Sequence, residues 1–212
     1  MRAPDPMITT ARQARMQRRG QRGFTMIEIL VSMGIVAIGL LGLAALQTTA
    51  QQAELESYSR AQALALLQDM VERINANRYS ASCFAFTTDT SNGVPYLGTV
   101  DSANPSNNFT PACTAGSNTA SAVNSMTNWD SELIGNAERS SGNAKIGAIV
   151  GGRGCVSVAN DPTTGIPTYT ISVAWQGLSD SFAPTQNCGK GLYGAETRRR
   201  VVWTTLQIAN LN

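Results

Sequence analysis

A long apolar stretch lies near the N-terminus of this chain and sets what the rest of it can form. Residues 24–46 read FTMIEILVSMGIVAIGLLGLAAL, and only one of them is charged. At about 1.5 Å per residue a helix of this length spans roughly 35 Å, enough to cross a hydrocarbon core of about 30 Å. A secretory signal peptide has an apolar core of only about 7–15 residues before its cleavage site. The stretch therefore predicts a membrane-spanning helix.

The single charged residue of this stretch is Glu28, one helical turn after Phe24. A charged side chain at the centre of a spanning helix costs on the order of 2.5–3.5 kcal/mol, so it indicates a function and needs a partner. The nearest cations, Arg19 and Arg22, precede the stretch. A cut before Phe24 would create an α-amino group, and that amine would neutralise Glu28 of a neighbouring copy in an assembly of parallel helices.

The residues before the apolar stretch are strongly basic. Residues 1–23 contain six arginines and one aspartate, a net charge of +5, whereas residues 24–212 carry a net charge of −3. By the positive-inside rule the basic segment stays in the cytoplasm, so the chain after the helix lies outside the cytoplasmic membrane. Met7 and Met16 offer later start codons. The total of +2 is too near balance to indicate nucleic acid as the main partner.

A helical stripe of apolar residues follows the spanning segment. It consists of Tyr58, Ala61, Leu64, Leu67, Val71 and Ile74. Because this spacing is helical, we predict that residues 47–79 continue the helix and bury the stripe against a globular domain. One helix over about residues 25–77 would be roughly 80 Å long.

The globular domain, residues 80–212, starts with polar sequence and ends with strands. Residues 87–128 are rich in Ser, Thr, Asn, Gly and Ala and predict a long loop region, and a short helix is predicted over 128–134. Alternating residues predict strands over 145–150, 155–159, 168–175 and 199–209. The predicted fold is α+β, a long N-terminal helix packed on a C-terminal antiparallel β-sheet.

The residue types argue against an enzyme or a metal protein. The chain has no histidine, which excludes Ser-His and Cys-His nucleophile pairs and most catalytic zinc sites. We predict no catalytic residue, no metal site and no cofactor.

The cysteines indicate disulfides instead. The four of them are too far apart for a CxxC redox or zinc motif, and an even number outside the cytoplasm predicts two bonds. Three pairings are possible. The favoured one joins Cys83 to Cys113 and Cys155 to Cys188, since these bonds would staple the polar loop region and the sheet.

The junction between the basic and apolar segments resembles a known processing motif. Residues 22–28, RGFTMIE, are similar to the class III signal of type IV pilins and pseudopilins. In that family a prepilin peptidase cuts after the glycine and methylates the new phenylalanine amine. The resemblance implies a cut between Gly23 and Phe24, N-methylation of Phe24, and a role for Glu28 in registering subunits during assembly. It also implies that residues 1–23 are a removed leader, although this leader is longer than usual.

Later residues are similar to the PilV family of minor pilins. They are residues 38–47, Trp129, the strand around Val173–Trp175 and the last arginine-rich strand, and Ala45 stands where major pilins commonly carry proline. The resemblance implies a non-enzymatic protein of pilus assembly, pilus initiation and fibre modification, in support of adhesion and twitching motility. It implies other minor pilins, the major pilin, prepilin peptidase and an inner-membrane assembly platform as partners. The implied location is the inner membrane, with the N-terminus cytoplasmic and the domain periplasmic, and then the pilus, including its tip.

Two other functions fit parts of the same sequence. A type II secretion pseudopilin has the same N-terminal motif but serves secretion. A DNA-uptake minor pilin would bind nucleic acid through Arg198, Arg199 and Arg200, although such a run more often marks the solvated start of a strand.

Overall fold

A computed structural model of the chain describes residues 23–98, 119–135, 138–139, 141, 145–146 and 149–208. The helices are α1 (Met26–Ala76), α2 (Thr119–Leu133) and the 3₁₀ helices Arg78–Phe84 and Glu196–Arg198. The strands are β1 (Glu138–Arg139), β2 (Lys145–Ile146), β3 (Arg153–Asn160), β4 (Pro167–Gln176) and β5 (Arg199–Gln207). The chain divides into two units after Gln47. The predicted leader, except Gly23, lies outside the described residues.

Strands β3, β4 and β5 form an antiparallel sheet in that order. A tight turn joins β3 to β4, in which the Asp161 carboxylate accepts hydrogen bonds from the Thr163 and Thr164 N–H groups at 2.8 and 2.9 Å. Gly165 completes the turn with a φ of +68°, a conformation that glycine adopts without strain. Strands β1 and β2 form a separate two-stranded ladder. The predicted α+β fold, a long helix packed on an antiparallel sheet, is confirmed.

The second unit buries one face of α1 against this sheet. The buried residues of the helix are Ala63, Leu67, Met70 and Ile74. The predicted stripe is right for Leu67 and Ile74 but wrong for Leu64 and Tyr58, which are 47% and 61% exposed. The predicted stripe and the observed set of buried residues both have helical spacing, and they share Leu67 and Ile74. The local sequence pattern therefore does not distinguish between the two faces of the helix. The choice follows from the tertiary core, in which Ala63 is fully buried.

Both faces of the central strand are covered. Tyr169, Ile171, Val173 and Trp175 lie in the core beneath α1, as the alternation predicts. The opposite face of β4 also buries Ser172 and Ala174. Cys188 and Tyr193 pack there, within residues 177–198, which we call the strap. The alternation of apolar and polar residues along β4 predicts that only one face of the strand is covered. The strap covers the other face, where the disulfide between Cys155 and Cys188 holds it.

Helix α2 begins earlier than expected. The predicted loop region ran to residue 128, but its last part is helical from Thr119, while residues 99–118 lie outside the described part. Four buried residues fix the helix: Ala122, Met126, Trp129 and Leu133. Polar residues on the other faces of α2 produced the composition that indicated a loop.

Candidate processing and assembly site

The predicted processing residues lie at the start of α1. Gly23 and Phe24 precede the first helical residue, Met26, and the Phe24 side chain is 79% exposed. A Cβ added at Gly23 would meet no atom within 4 Å among the described residues. The bond between Gly23 and Phe24 therefore lies in exposed, non-helical chain.

Thr25 and Glu28 together begin the helix. The Glu28 N–H donates to the backbone oxygen of Thr25 at 3.1 Å and to its Oγ1 at 3.3 Å. Thr25 is thus the N-cap and Glu28 the third helical residue, the positions of a T-x-x-E capping box. A carboxylate in the first turn also interacts favourably with the positive end of the helix dipole. Sequence reasoning missed this local role of Glu28, although the spacing of the two residues was its signal.

The first unit exposes apolar surface along α1. Every large apolar side chain from Met26 to Leu46 is at least 48% exposed. Each such side chain gains about 1.5–3 kcal/mol when it leaves water, so this surface requires lipid or other apolar helices around it. Within the described residues α1 is the one helix long and apolar enough to cross a membrane.

The structure brings two of the predicted disulfide residues together. Cys155 on β3 is bonded to Cys188 in the strap, with their Cα atoms 5.8 Å apart. Cys83 is buried and disulfide-bonded as well. Cys113 lies outside the described residues, so its pairing stays a prediction.

The arginine run at the start of β5 is engaged within the chain. Arg199 is 1% exposed, forms an ion pair with Glu196 at 2.6 Å, and donates to the carbonyl oxygens of Gln186 and Cys188 in the strap. Arg200 pairs with Glu56 of α1 at 2.7 Å. The expectation of a solvated strand start is wrong for Arg199, because it satisfies carbonyl groups that the strap buries. Arg198, whose side chain is 50% exposed, pairs with Asp180 at 3.4 Å.

A second ionic contact joins α1 to α2. Arg73 lies 2.5 Å from Asp69 and 2.7 Å from Glu132. Burial, and then the charge of Asp69, raises the pKa of Glu132 against the opposing effect of Arg73. The contact holds α2 beside the buried part of α1.

Two family models match the chain. The model of the prokaryotic N-terminal methylation motif matches residues 18–44, which include the predicted cut, Phe24 and Glu28. The model of the type IV pilin Tt1218 matches residues 45–131. No curated protein and no solved structure matches. Residues 18–131 are thus similar first to the N-terminal methylation motif and then to a type IV pilin, and the two matches support an assignment of the chain to the type IV pilin family.

Proposed function

We propose that this chain is a minor type IV pilin, most like PilV, that takes part in pilus initiation and fibre modification. The observation that carries the proposal is the exposed apolar half of α1 with one carboxylate, Glu28, in its first turn. A prepilin peptidase removes residues 1–23 and methylates Phe24. The protein waits in the inner membrane, with its domain in the periplasm, until the assembly platform extracts it.

Assembly replaces lipid around α1 with the helices of other subunits. Gly34, Gly39 and Gly42 present open positions along this part of the helix, since a Cβ there would meet no described atom within 4 Å. Such small residues let helices approach closely. In this packing Glu28 pairs with the N-terminal amine of a neighbouring subunit, which offsets the cost of a charge in an apolar environment. The pair thus registers one subunit against the next.

The domain then provides the surface that distinguishes this subunit from the major pilin. Exposed side chains of the second unit contact other minor pilins, with adhesion and twitching motility as the outcome for the cell. A type II secretion pseudopilin would use the same N-terminal packing. Sheared and purified pilus fibres distinguish the two, because a minor pilin is found in them and a secretion pseudopilin is not.

Variants at Glu28 test the mechanism. Glu28→Gln keeps a side chain that suits a capping box but removes the charge, whereas Glu28→Ala removes both. If Glu28 acts by pairing with an amine, both variants insert into the membrane normally and are at least about tenfold depleted from sheared fibres, because a lost charge pair of about 1.4 kcal/mol gives that factor. Quantitative immunoblotting of fibres and membranes measures the ratio.

Two further variants serve as controls. Thr25→Ala removes the capping hydroxyl but keeps the carboxylate, and Glu54→Ala removes an exposed carboxylate from the second unit. Both are expected in fibres at nearly the normal level. Normal incorporation of Glu28→Gln together with loss of Thr25→Ala would assign Glu28 to helix capping and contradict the charge pair.

A further inference from the structure

Two turns in the second unit have the same hydrogen-bond pattern. They span residues 89–94 and 161–166, with the sequences DTSNGV and DPTTGI. In each turn the N–H of the aspartate donates to the carbonyl oxygen of the last residue at 2.9 Å, and the N–H of the glycine donates to the carbonyl oxygen of the aspartate at 2.8 Å. The aspartate carboxylate accepts from the backbone N–H groups two and three residues later. The glycine follows Asn92 in the first turn and Thr164 in the second, so the second turn is a matched reference for the first.

Asn92 and Gly93 form the only Asn-Gly pair in the sequence, and Asn92 is exposed. An Asn-Gly pair is prone to deamidation, because glycine has no side chain to hinder the attack of its nitrogen. A base removes the proton of the Gly93 N–H, and the nitrogen then forms a bond to Asn92 Cγ. The bond from Cγ to Nδ2 breaks, and ammonia leaves after taking up a proton. Water then opens the resulting imide to aspartate or isoaspartate.

The first turn engages both reacting groups through Asp89. The Gly93 N–H donates to the Asp89 carbonyl oxygen at 2.8 Å, and Asn92 Nδ2 donates to Asp89 Oδ2 at 2.7 Å. The hydrogen bond from the Asn92 side chain, and then that from its N–H, lower the pKa of Asp89, so this carboxylate is ionised at neutral pH. A negative charge close to the Gly93 nitrogen opposes removal of its proton. The attack on Cγ therefore requires these contacts to open first.

We propose that Asp89 protects Asn92 from deamidation. It holds the side-chain amide by a charge-assisted hydrogen bond, and it keeps the Gly93 N–H engaged and protonated. The protected turn also supports the strap, since Asn187 Nδ2 and Lys190 Nζ donate to carbonyl oxygens of this turn at 3.0 and 3.3 Å. Isoaspartate at position 92 would add a methylene group to the main chain of the turn that makes these contacts.

Incubation of the full chain in detergent micelles at mildly alkaline pH tests the proposal. Mass spectrometry of proteolytic fragments measures how fast the amide of Asn92 is converted to an acid, and the chain unfolded in denaturant with its disulfides intact gives the unprotected rate. The folded natural chain is expected to react at least about tenfold more slowly than the unfolded chain. Asp89→Ser keeps a short acceptor but removes the charge, and it is expected to raise the rate in the folded protein about tenfold or more.

The reference turn supplies the matched control. Asp161→Ser makes the same change there and should leave the rate at Asn92 unchanged. Thr164→Asn places an Asn-Gly pair in the reference turn, where Asp161 should protect it, and the addition of Asp161→Ser should remove that protection. This second variant tests the same protection without altering the first turn.

Four results would each overturn the proposal. They are equal rates at Asn92 in the folded and unfolded natural chain, an unchanged rate in Asp89→Ser, an equal acceleration at Asn92 by Asp161→Ser, and equal rates at residue 164 with and without Asp161→Ser. None of these results depends on fibre formation, so a failure here is distinct from a failure of the pilin assignment.

Discussion

At the scale of single residues, Gly154 shows why one position accepts only the smallest side chain. It lies on β3 directly beneath the indole of Trp129, and a Cβ there would overlap that ring and come within 2.8 Å of Leu133 Cδ1. Trp129 is itself fully buried and hydrogen-bonded to α1. The glycine thus lets α2 pack against the sheet. Its role is steric and does not depend on an unusual backbone conformation.

Gly154→Ala is therefore expected to lower the free energy of unfolding by about 1–3 kcal/mol, the usual cost of overpacking a core. Denaturant unfolding monitored by circular dichroism measures the change. Gly191→Ala is the control, since it has a φ of +76° but open space around the Cβ and so tests backbone strain alone. In a Trp129→Phe background the cost of Gly154→Ala should shrink. An equal cost in both backgrounds would contradict the steric explanation.

Glu196 is a second residue whose setting has a measurable consequence. Partial burial tends to raise its pKa, but hydrogen bonds from the Gly191 N–H and from Arg199 outweigh this and hold the pKa below the ordinary range. Because the folded state lowers this pKa, the ionised carboxylate contributes stability above its unfolded pKa. That contribution is lost as the pH falls through the folded value.

Glu196→Gln is accordingly expected to lose less stability than the natural chain when the pH falls from about 5 to about 3. Thermal unfolding at several pH values in this window measures the two slopes. Glu54→Gln, at an exposed position of α1, should keep the natural slope. Parallel slopes for the natural chain and Glu196→Gln would show that Glu196 contributes nothing to acid lability.

At the scale of elements, the strap depends on contacts that are distant along the chain. Apart from its 3₁₀ turn, Glu196–Arg198, it has no regular secondary structure, and Cys188 and Arg199 tie it to the sheet. Tyr193 adds a hydrogen bond to the Gly151 carbonyl oxygen at 2.7 Å, and burial raises the pKa of this phenol. The strap is held by these contacts, and it covers the buried Ala174.

Replacing both Cys155 and Cys188 by alanine is expected to lower the free energy of unfolding by about 3–4 kcal/mol, the chain-entropy value for a bond that closes a loop of 33 residues. Denaturant unfolding gives the change, and hydrogen exchange should show faster exchange in the strap than in β4. Lys190→Ala, an exposed strap residue, is the control. A loss below about 1 kcal/mol would mean that Arg199 and Tyr193 hold the strap without the disulfide.

At the scale of the whole molecule, the two units differ in where their apolar side chains lie. The domain buries its apolar residues in its own core, whereas the first unit leaves those of α1 exposed. The proposed processing also changes the charge, since removal of residues 1–23 takes the side-chain total from +2 to −3. The same cut creates the amine that the proposed pair with Glu28 requires.

Intact-mass measurement of the protein from cells that contain prepilin peptidase checks this processing. The mature chain is expected to begin at Phe24 and to carry one N-methyl group. Because the family signal places glycine before the cut, the Gly23→Ala variant should accumulate as the uncut precursor, which still carries residues 1–23. The control variant, Gly20→Ala, should be processed normally. A mature chain that still begins with Gly23 would refute the predicted cut.

The sequence by itself determined the features that depend on local patterns. The apolar segment long enough to cross a membrane, the N-terminal methylation motif, the alternation of β4 and the α+β arrangement all follow from periodicity or from residues close in the chain. These patterns can be read from the sequence because the spacing of side chains on one face of a helix or strand is the same wherever that element packs.

Only the tertiary structure decided which surfaces meet. It selected Ala63 and Met70 over Leu64 and Tyr58 for the buried face of α1, and it buried Arg199 beneath the strap. It also extended α2 back to Thr119. Each of these outcomes depends on close packing between residues that are far apart in the chain. A local sequence pattern contains no information about the distant residues against which a segment packs.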